Sequence, residues 1–378
     1  MSIRNNNQGS IVKPGFNPLG AQTSTTTYDL FTWGNNGAGQ LGLGNITNYS
    51  SPKQVGALTT WSKVSAGAQF TLAIKTDGAL WSWGTNSSGQ LGLGNTTAKS
   101  SPNQVGALTT WSKVVGGATY TVATKTDGTL WTWGYNFDGQ LGLGNTTAKS
   151  SPNQVGALTT WLNIAAGRYH TIATKTDGTL WTWGNGTLGM LGLGNTTYYS
   201  SPKQVGALTT WSKISGGVYH TVATKTDGTL WTWGRGAEGR LGLGNTTNYS
   251  SPVQVGALTT WSTVSAGSAF TLAIKTDGTI WTWGTNISGQ LGLGNTTGYS
   301  SPKQVGALTA WSNIAGGDSQ TIAIKTDGTL WSWGNNSGGV LGLGNTTGYS
   351  SPKQVGVTTT WLTIAIPVDG GGHVVGIG

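Results

Sequence analysis

The sequence has 378 residues, among them 64 glycines and 20 tryptophans, with 8% charged residues and a formal net charge of +9. An ordinary soluble domain carries about 25% charged residues, so the polar surface here must consist mainly of threonine, serine, asparagine and glutamine. The lack of cysteine excludes disulfides, a thiolate nucleophile and cysteine metal sites. No stretch approaches the roughly 18 apolar residues of a membrane span, so we expect no membrane insertion.

Residues 1–27 form a polar segment rich in asparagine, glycine and threonine. The segment lacks the uninterrupted apolar core of a secretory signal, so we expect no export by that route. Its composition is typical of a flexible arm, and the alternative is an anchor held by a neighbouring subunit of an assembly. We therefore divide the chain into an N-terminal arm, 1–27, and a folded domain, 28–378.

A repeat begins after the arm, because the pair Trp-Gly recurs seven times at intervals of 50 residues, from Trp33 to Trp333. A fixed period of this length indicates a repeat array. In the second copy, short segments rich in β-branched and aromatic residues predict strand A at 61–66, strand B at 70–75 and strand C at 80–83. Strand D is predicted at 52–55 and its equivalents. Asp77-Gly78 predicts a tight turn between B and C.

The phase of the repeat predicts how the array closes. The chain enters at strand C, residues 30–33, and leaves through an A strand at 361–365 and a B strand at 373–377. These end segments would share one blade, which removes the exposed sheet edges. The sequence therefore predicts an all-β fold, a seven-bladed β-propeller of four-stranded antiparallel blades with a closing blade shared by both ends. Both faces of the strands are apolar, so most tryptophans should pack between blades rather than form an exposed sugar-binding platform.

The motif at 127–144, Asp-Gly-Thr-Leu-Trp-Thr-Trp-Gly-Tyr-Asn-Phe-Asp-Gly-Gln-Leu-Gly-Leu-Gly, closely resembles the repeat of the regulator of chromosome condensation family. A Gly-x-x-His-Thr element at 167–171 matches the same family. The resemblance covers residues 28–377, is of the bacterial and phage-like tandem-repeat kind, and implies a seven-bladed propeller with a mixed closing blade.

For function the resemblance implies several alternatives. The eponymous protein is a nucleotide exchange factor for a small GTPase that docks on chromatin, and other members are photoreceptors, ubiquitin-ligase modules, or bacterial and viral surface proteins. This sequence departs from the exchange factor because it has no strand A cysteine and no long basic N-terminal tail. Its copies are also almost interchangeable, whereas a face that engages one GTPase should be individualised and rich in acidic residues.

The copies differ mainly in the A–B turn and in the segment after Trp-Gly. The segment after Trp-Gly connects strands C and D. The A–B and C–D connections lie at the same end of an antiparallel blade, so one face of the propeller is variable and the other is constant. Recognition residues commonly lie on loops of a rigid scaffold, and aromatic residues and arginine dominate binding hot spots. Drift after duplication is the alternative explanation. The candidate binding residues on the variable face are Tyr135, Phe137, Asp138, Arg168, Tyr169, His170, Leu188, Met190, Tyr219, His220, Arg235, Glu238 and Arg240.

The sequence favours neither catalysis nor metal binding. The acidic residues placed on the variable face are Asp138, Glu238 and Asp318, and no two carboxylates fall in an arrangement for acid–base chemistry. His170 and His220 occupy equivalent positions, but aromatic residues or glutamine hold that position in other copies, which favours a packing role over metal ligation. We expect no enzyme activity, no metal and no cofactor.

Basic residues outnumber acidic ones, but they are scattered. Lys63, Lys113 and Lys213 share one repeat position, and a second position holds lysine in four copies, which predicts a dilute ring of charge. Nucleic-acid-binding proteins normally cluster their basic residues on one face, so we expect no nucleic-acid partner.

These observations support a binding or assembly module whose partner is a protein or a neighbouring subunit. The first hypothesis is a phage or virus structural protein, such as a tail fibre, receptor-binding or capsid decoration protein, whose variable face meets a host surface receptor or glycan. It places the protein in a virion or extracellular assembly reached without a signal peptide. One alternative is an intracellular, cytoplasmic regulatory propeller with exchange activity or chromatin binding. The other alternative is lectin-like glycan binding.

Overall fold

The computed structural model describes residues 28–57, 60–370 and 372–378, so the predicted arm, 1–27, lies outside the described residues. In chain order the strands are β1 (Leu30–Gly34), β2 (Tyr49–Gln54), β3 (Trp61–Gly67), β4 (Phe70–Lys75), β5 (Leu80–Gly84), β6 (Lys99–Gln104), β7 (Trp111–Gly116), β8 (Tyr120–Lys125), β9 (Leu130–Gly134), β10 (Lys149–Gln154), β11 (Trp161–Ala166), β12 (His170–Lys175), β13 (Leu180–Gly184), β14 (Tyr199–Gln204), β15 (Trp211–Gly216), β16 (His220–Lys225), β17 (Leu230–Gly234), β18 (Tyr249–Gln254), β19 (Trp261–Ala266), β20 (Phe270–Lys275), β21 (Ile280–Gly284), β22 (Tyr299–Gln304), β23 (Trp311–Gly316), β24 (Gln320–Lys325), β25 (Leu330–Gly334), β26 (Tyr349–Gln354), β27 (Thr363–Ala365) and β28 (His373–Ile377). Three single turns of 3-10 helix accompany them, at Thr187–Gly189, Ala237–Gly239 and Ser337–Gly339.

The strands form seven antiparallel sheets of four strands each, which confirms the predicted all-β propeller. Blades 1 to 6 are β3–β6, β7–β10, β11–β14, β15–β18, β19–β22 and β23–β26, each with its strands A to D in chain order. The closing blade pairs its strands in the order β2-β1-β28-β27, so its A and B strands come from the C-terminal end and its C and D strands from the N-terminal end. The predicted closure is therefore confirmed.

The starts of two strands differ from the prediction, and the ends of some others differ by one residue. Strand D begins at Tyr49 rather than at Pro52, because pairing with strand C resumes beyond a break in register and joins Gly34 to Tyr49. Proline is tolerated there since D is the outer edge strand of the blade. The closing A strand begins at Thr363, two residues after the predicted start at Trp361.

The B–C hairpin follows the predicted turn chemistry. In blade 1 the Lys75 amide donates to the carbonyl of Ala79 at 3.0 Å, and the Ala79 amide donates to Oδ1 of Asp77 at 2.9 Å. Gly78 has φ of +83°, a conformation that glycine adopts without a Cβ penalty. The Asp-Gly pair therefore closes each of these hairpins.

Tryptophan side chains join neighbouring blades, as the sequence predicted. Trp83 is 0% exposed, and its indole N–H donates to the carbonyl of Gln40 in the preceding blade at 2.9 Å. The Thr71 hydroxyl donates to the same carbonyl at 2.8 Å. A Cβ on Gly42 would lie 2.6 Å from the Trp83 indole nitrogen, which explains the glycine at this position of the loop before strand D. We call this arrangement the tryptophan clasp.

The first tryptophan of strand C is half-buried, and a lysine covers it. In blade 2 the Lys125 ammonium lies 3.6 Å from a ring centroid of Trp131, within cation–π distance. These rings are therefore not free platforms for a sugar.

The A strands surround a central channel. A cavity of about 220 Å³ within it is lined by A-strand residues of seven blades, mostly alanine, serine and glycine, with Ile366 and Val368 of the closing blade. Strand A is therefore the innermost strand, and the A–B turns lie around one mouth of the channel. Within the described ranges, no helix has the length and hydropathy needed to cross a membrane.

Candidate functional site

Strand pairing confirms that the variable connections share one end of the blades. In blade 1, Phe70 pairs with Gly84, and Gly84 pairs with Lys99, so the A–B turn and the C–D loop lie side by side. We call this end the variable face, and the end that carries the B–C hairpins the constant face.

Aromatic side chains of blades 2, 3 and 4 form two pairs on the variable face. The rings of Tyr135 and Phe137 have centroids 6.4 Å apart, and Phe137 is 74% exposed. The rings of Tyr169 and Tyr219, which belong to neighbouring A–B turns, have centroids 5.8 Å apart. An exposed phenylalanine beside one tyrosine, with a second pair of tyrosines on the next two blades, provides apolar area together with hydroxyl groups, as binding surfaces for proteins do. We call these four residues the aromatic patch.

Two arginines flank the aromatic patch. The Arg168 guanidinium lies 4.8 Å from the centroid of Tyr169, and that of Arg235 lies 5.8 Å from the centroid of Tyr219. Arg235 is also paired with Glu238 at 3.3 Å. Burial raises the pKa of the Tyr169 hydroxyl, while the neighbouring Arg168 charge opposes the rise. The Tyr169 hydroxyl is therefore a neutral hydrogen-bonding group at physiological pH.

Arg168 also makes a contact that reaches across the ring. Its Nε lies 2.9 Å from Oδ2 of Asp369 in the closing blade, and its Nη1 lies 3.1 Å from Oδ1. Burial raises the pKa of Asp369, Arg168 lowers it, and Asp318 raises it. Asp369 is thus a fourth acidic residue on the variable face, where the sequence placed only three.

Four candidate residues are buried, which corrects their assignment to the binding surface. His170, His220 and Met190 are 0% exposed, and Arg240 is 3% exposed. Met190 and Arg240 hold the clasp position, so their carbonyls accept the indole N–H groups of the following blade and their side chains lie within the interface. Side-chain variation at this position changes packing between blades rather than the surface.

The buried histidines are also structural. The Nε2 atom of His170 lies 2.8 Å from the hydroxyl of Thr221 in the next blade, and that hydroxyl donates to the carbonyl of Met190. The hydroxyl must therefore accept a hydrogen bond from the Nε2–H group of the imidazole. The low pKa of His170 keeps this imidazole neutral. Burial lowers the pKa of His170 to about 3 and holds that of His220 well below its ordinary value. Within the described part of the chain, no group of three or more metal-ligating side chains comes together.

The remaining candidates lie at the margin of the patch. Asp138 is half-buried and accepts from the Asn185 amide at 3.2 Å, and burial raises its pKa. Leu188 and Glu238 occupy the same position in successive blades, each with φ of +60°. Glu238 is exposed and also contacts the buried Arg240 guanidinium, so its single carboxylate is shared by two arginines.

Sequence reasoning missed Asp369, although a signal was present. The closing A–B connection has seven residues, 366–372, whereas that of blade 3 has three, 167–169. The extra length lets this loop extend over the channel mouth to Arg168. We call the described residues of this connection, 366–370 and 372, the closing loop.

Comparisons with known proteins agree on the fold. A model of the RCC1-like domain matches residues 23–311, and models of the regulator of chromosome condensation (RCC1) repeat match 311–339 and 327–374. No curated protein sequence matches the chain.

Solved structures with the same fold include Prp20p from Saccharomyces cerevisiae, studied with its binding to Gsp1p and histones, at 20% identity, a TM-score of 0.81, and coverage of 94% of this chain and 92% of that one. Human WBSCR16 is similar at 21% identity and a TM-score of 0.82, over 93% of this chain and 98% of that one. Yeast RCC1 (Prp20) bound to Kap60 gives 20% identity and a TM-score of 0.82, over 94% and 89%. At these identities the structures show the fold alone. Because the RCC1-like domain model covers well over half of the sequence, this protein belongs to the regulator of chromosome condensation (RCC1) repeat family of seven-bladed β-propellers.

Proposed function

We propose that this chain is a non-catalytic propeller that binds a protein partner through the aromatic patch of its variable face. The observation that carries the proposal is Phe137, which is 74% exposed and lies beside Tyr135. Exposed apolar surface rimmed by polar groups is typical of protein interaction sites. Tyrosine and phenylalanine also bury a large area on binding while few rotatable bonds become fixed.

The charges around the patch favour a partner surface without strong charge. Arg168 is paired with Asp369, and Arg235 and Arg240 share Glu238. Two carboxylates thus offset two of the three arginine charges within the chain. The partner is therefore expected to contribute apolar side chains and hydrogen-bonding groups opposite the tyrosines.

The related propellers support a protein partner. Yeast Prp20p binds Gsp1p and histones, and yeast RCC1 binds Kap60. The same fold thus serves protein recognition in those proteins. This favours a regulatory propeller over the virion, tail-fibre and glycan-binding roles, for which the comparisons provide no support. Nucleotide exchange, which an exchange factor would promote through binding a small GTPase and without covalent or proton-transfer chemistry of its own, is the alternative to test first, by nucleotide release from small GTPases.

A non-catalytic role fits the state of the titratable groups. His170 and His220 are buried, with their pKa values held low, and Glu238 and Asp369 are engaged in ion pairs. None of these side chains is both exposed and free to transfer a proton.

The proposal can be tested by photo-crosslinking with matched positions. Phe137 and Ile287 occupy the same position in blades 2 and 5, and they are 74% and 79% exposed. A benzophenone amino acid is placed at one position or the other in the full chain, and the protein is irradiated in a lysate of its source. We expect a specific protein adduct from position 137 and none from 287. Equal labelling from both positions would contradict a site confined to the aromatic patch.

A place in a virion or other assembly remains a separate prediction, since it depends on residues 1–27. Deleting these residues should abolish incorporation into the assembly and leave a folded propeller. Unchanged incorporation would remove the hypothesis.

A further inference from the structure

Three lysines occupy the same position near the constant end of the channel. Lys63, Lys113 and Lys213 are the third residues of the A strands of blades 1, 2 and 4. The other blades have asparagine or threonine there, such as Asn163 and Thr263. The position is neutral or basic in all seven blades. From the sequence, this position predicted only a dilute ring of charge. Because strand A is the innermost strand of each blade, the position lies on the wall of the channel.

The lysine side chains extend around this wall towards the next blade. The Lys63 ammonium donates to the carbonyl of Ser112, and that of Lys113 donates to the carbonyl of Leu162 at 2.6 Å and to Oδ1 of Asn163 at 2.8 Å. An ammonium has three N–H donors. At least one donor of each of these two lysines therefore remains for a ligand.

The positive charges lie close together without compensation. Lys113 is half-buried, and its pKa is lowered by burial and then by the charges of Lys63 and Lys213. In the described residues no carboxylate forms an ion pair with any of the three. Like charges held in a partly desolvated mouth repel one another and create a positive potential, which an anion would relieve.

We propose that the constant-face mouth of the channel is a binding site for a small phosphate-rich anion, held by Lys63, Lys113 and Lys213. An oligophosphate fits this arrangement because several linked phosphate groups can contact several ammonium groups at once. The ring of seven A strands sets the width of the mouth, which favours a small anion over a nucleic-acid duplex. This site lies at the opposite end of the channel from the aromatic patch and is independent of it.

Isothermal titration of the full chain with inorganic tripolyphosphate tests the proposal. In the K63T/K113N/K213T variant each lysine is replaced by a residue that other blades carry at this position. The control K53N/K203N/K303N removes the same charge from strand D, where Asn103 and Asn153 are the natural equivalents. Thermal unfolding of both variants checks that each remains folded.

We expect the wild type to bind tripolyphosphate at a single site, and the channel variant to bind about tenfold to a hundredfold more weakly. The control should change affinity less than about twofold, and K113N alone should give an intermediate loss. Equal losses of tripolyphosphate affinity in the two triple variants, or no binding by the wild type, would overturn the assignment of the site to these three lysines. Displacement of tripolyphosphate by duplex DNA would also overturn it in favour of a nucleic-acid surface. Because Phe137 lies on the other face, F137S should leave tripolyphosphate binding unchanged.

Discussion

Arg168 of blade 3 and Asp369 of the closing blade form an ion pair of 2.9 Å although their blades lie on opposite sides of the ring. Both residues belong to A–B connections, which surround the channel mouth on the variable face. The closing loop therefore extends over the mouth, and Arg168 meets it there. The aromatic patch lies beside this covered mouth, since Tyr169 follows Arg168 directly in the chain.

The first prediction concerns the titration of Asp369 in R168A. Blades 1 and 2 have Ala68 and Ala118 at this position, so the change suits the fold. Burial already raises the pKa of Asp369 above the ordinary value of about 3.9, and Arg168 opposes the rise. Removing the arginine should raise the carboxyl pKa further, measured by NMR of the labelled side chain. R235A is the control and should leave this midpoint in place. An unchanged midpoint in R168A would contradict the contact.

The ion pair should contribute little to global stability. The Arg168 side chain is 36% exposed, so solvent screens the pair. We expect R168A to change the free energy of unfolding by less than about 1 kcal/mol. The closing loop should instead exchange its amide hydrogens faster, measured by hydrogen–deuterium exchange. Unchanged protection of the loop would show that Arg168 does not hold it.

The second prediction concerns stability in acid. Burial lowers the pKa of His170 to about 3, so the unfolded chain takes up its proton first as the pH falls below about 6.5. The contribution of neutral His170 to the free energy of unfolding is therefore complete above about pH 6.5. It is lost progressively between about pH 6.5 and about pH 3. From pH 7 to pH 5 the loss should be roughly 2 kcal/mol for this residue. His220 acts in the same direction.

The variant H170F/H220F tests this prediction, since Phe70 and Phe270 hold the equivalent position in other blades. The free energy of unfolding of the variant should fall less than that of the wild type when the pH is lowered from 7 to 5. Denaturant unfolding at the two pH values measures the difference. Parallel losses in both proteins would contradict the buried neutral state of these imidazoles.

The third prediction concerns an unpaired indole in blade 1. In blade 2 the Trp131 indole donates to the hydroxyl of Thr129 at 2.8 Å. Blade 1 has Ala79 in place of that threonine, and the buried indole nitrogen of Trp81 has no partner there. A79T should therefore raise the free energy of unfolding by about 1 kcal/mol. Denaturant unfolding measures it.

The reverse change, T129A, is the matched control for A79T. It should lower stability by about the same amount because it leaves Trp131 without its acceptor. If T129A lowered the free energy of unfolding but A79T did not raise it, the absence of the threonine in blade 1 would already be compensated, for example by another acceptor for the Trp81 indole.

The fold was largely predictable from sequence because every copy of the repeat shows the same order of strand and turn signals. The B strands, such as Phe70–Lys75, match the predicted boundaries, since the Asp-Gly turn fixes one end and the A–B turn fixes the other. Closure followed from phase alone, because the chain enters at a C strand. The start of strand D was less predictable, since a break in register and a proline lie inside it.

The candidate site was predictable only in part. Variation between copies located the loops correctly, but it did not distinguish exposed side chains from those that vary within a blade interface. Met190 and Arg240 show why, because their position is defined by its carbonyl and tolerates different buried side chains. The length of the closing loop was visible in the sequence, whereas its ion pair with Arg168 depends on closure of the ring.

The central claim, that the aromatic patch binds a protein partner, is tested most directly by comparing F137S with I287S. Serine is the natural residue at this position in blades 1 and 6, so both variants should fold. Each dissociation constant is measured by titration with the partner identified by crosslinking. F137S should weaken binding by about tenfold or more, and I287S by less than about twofold. Equal affinities of the two variants would contradict the account.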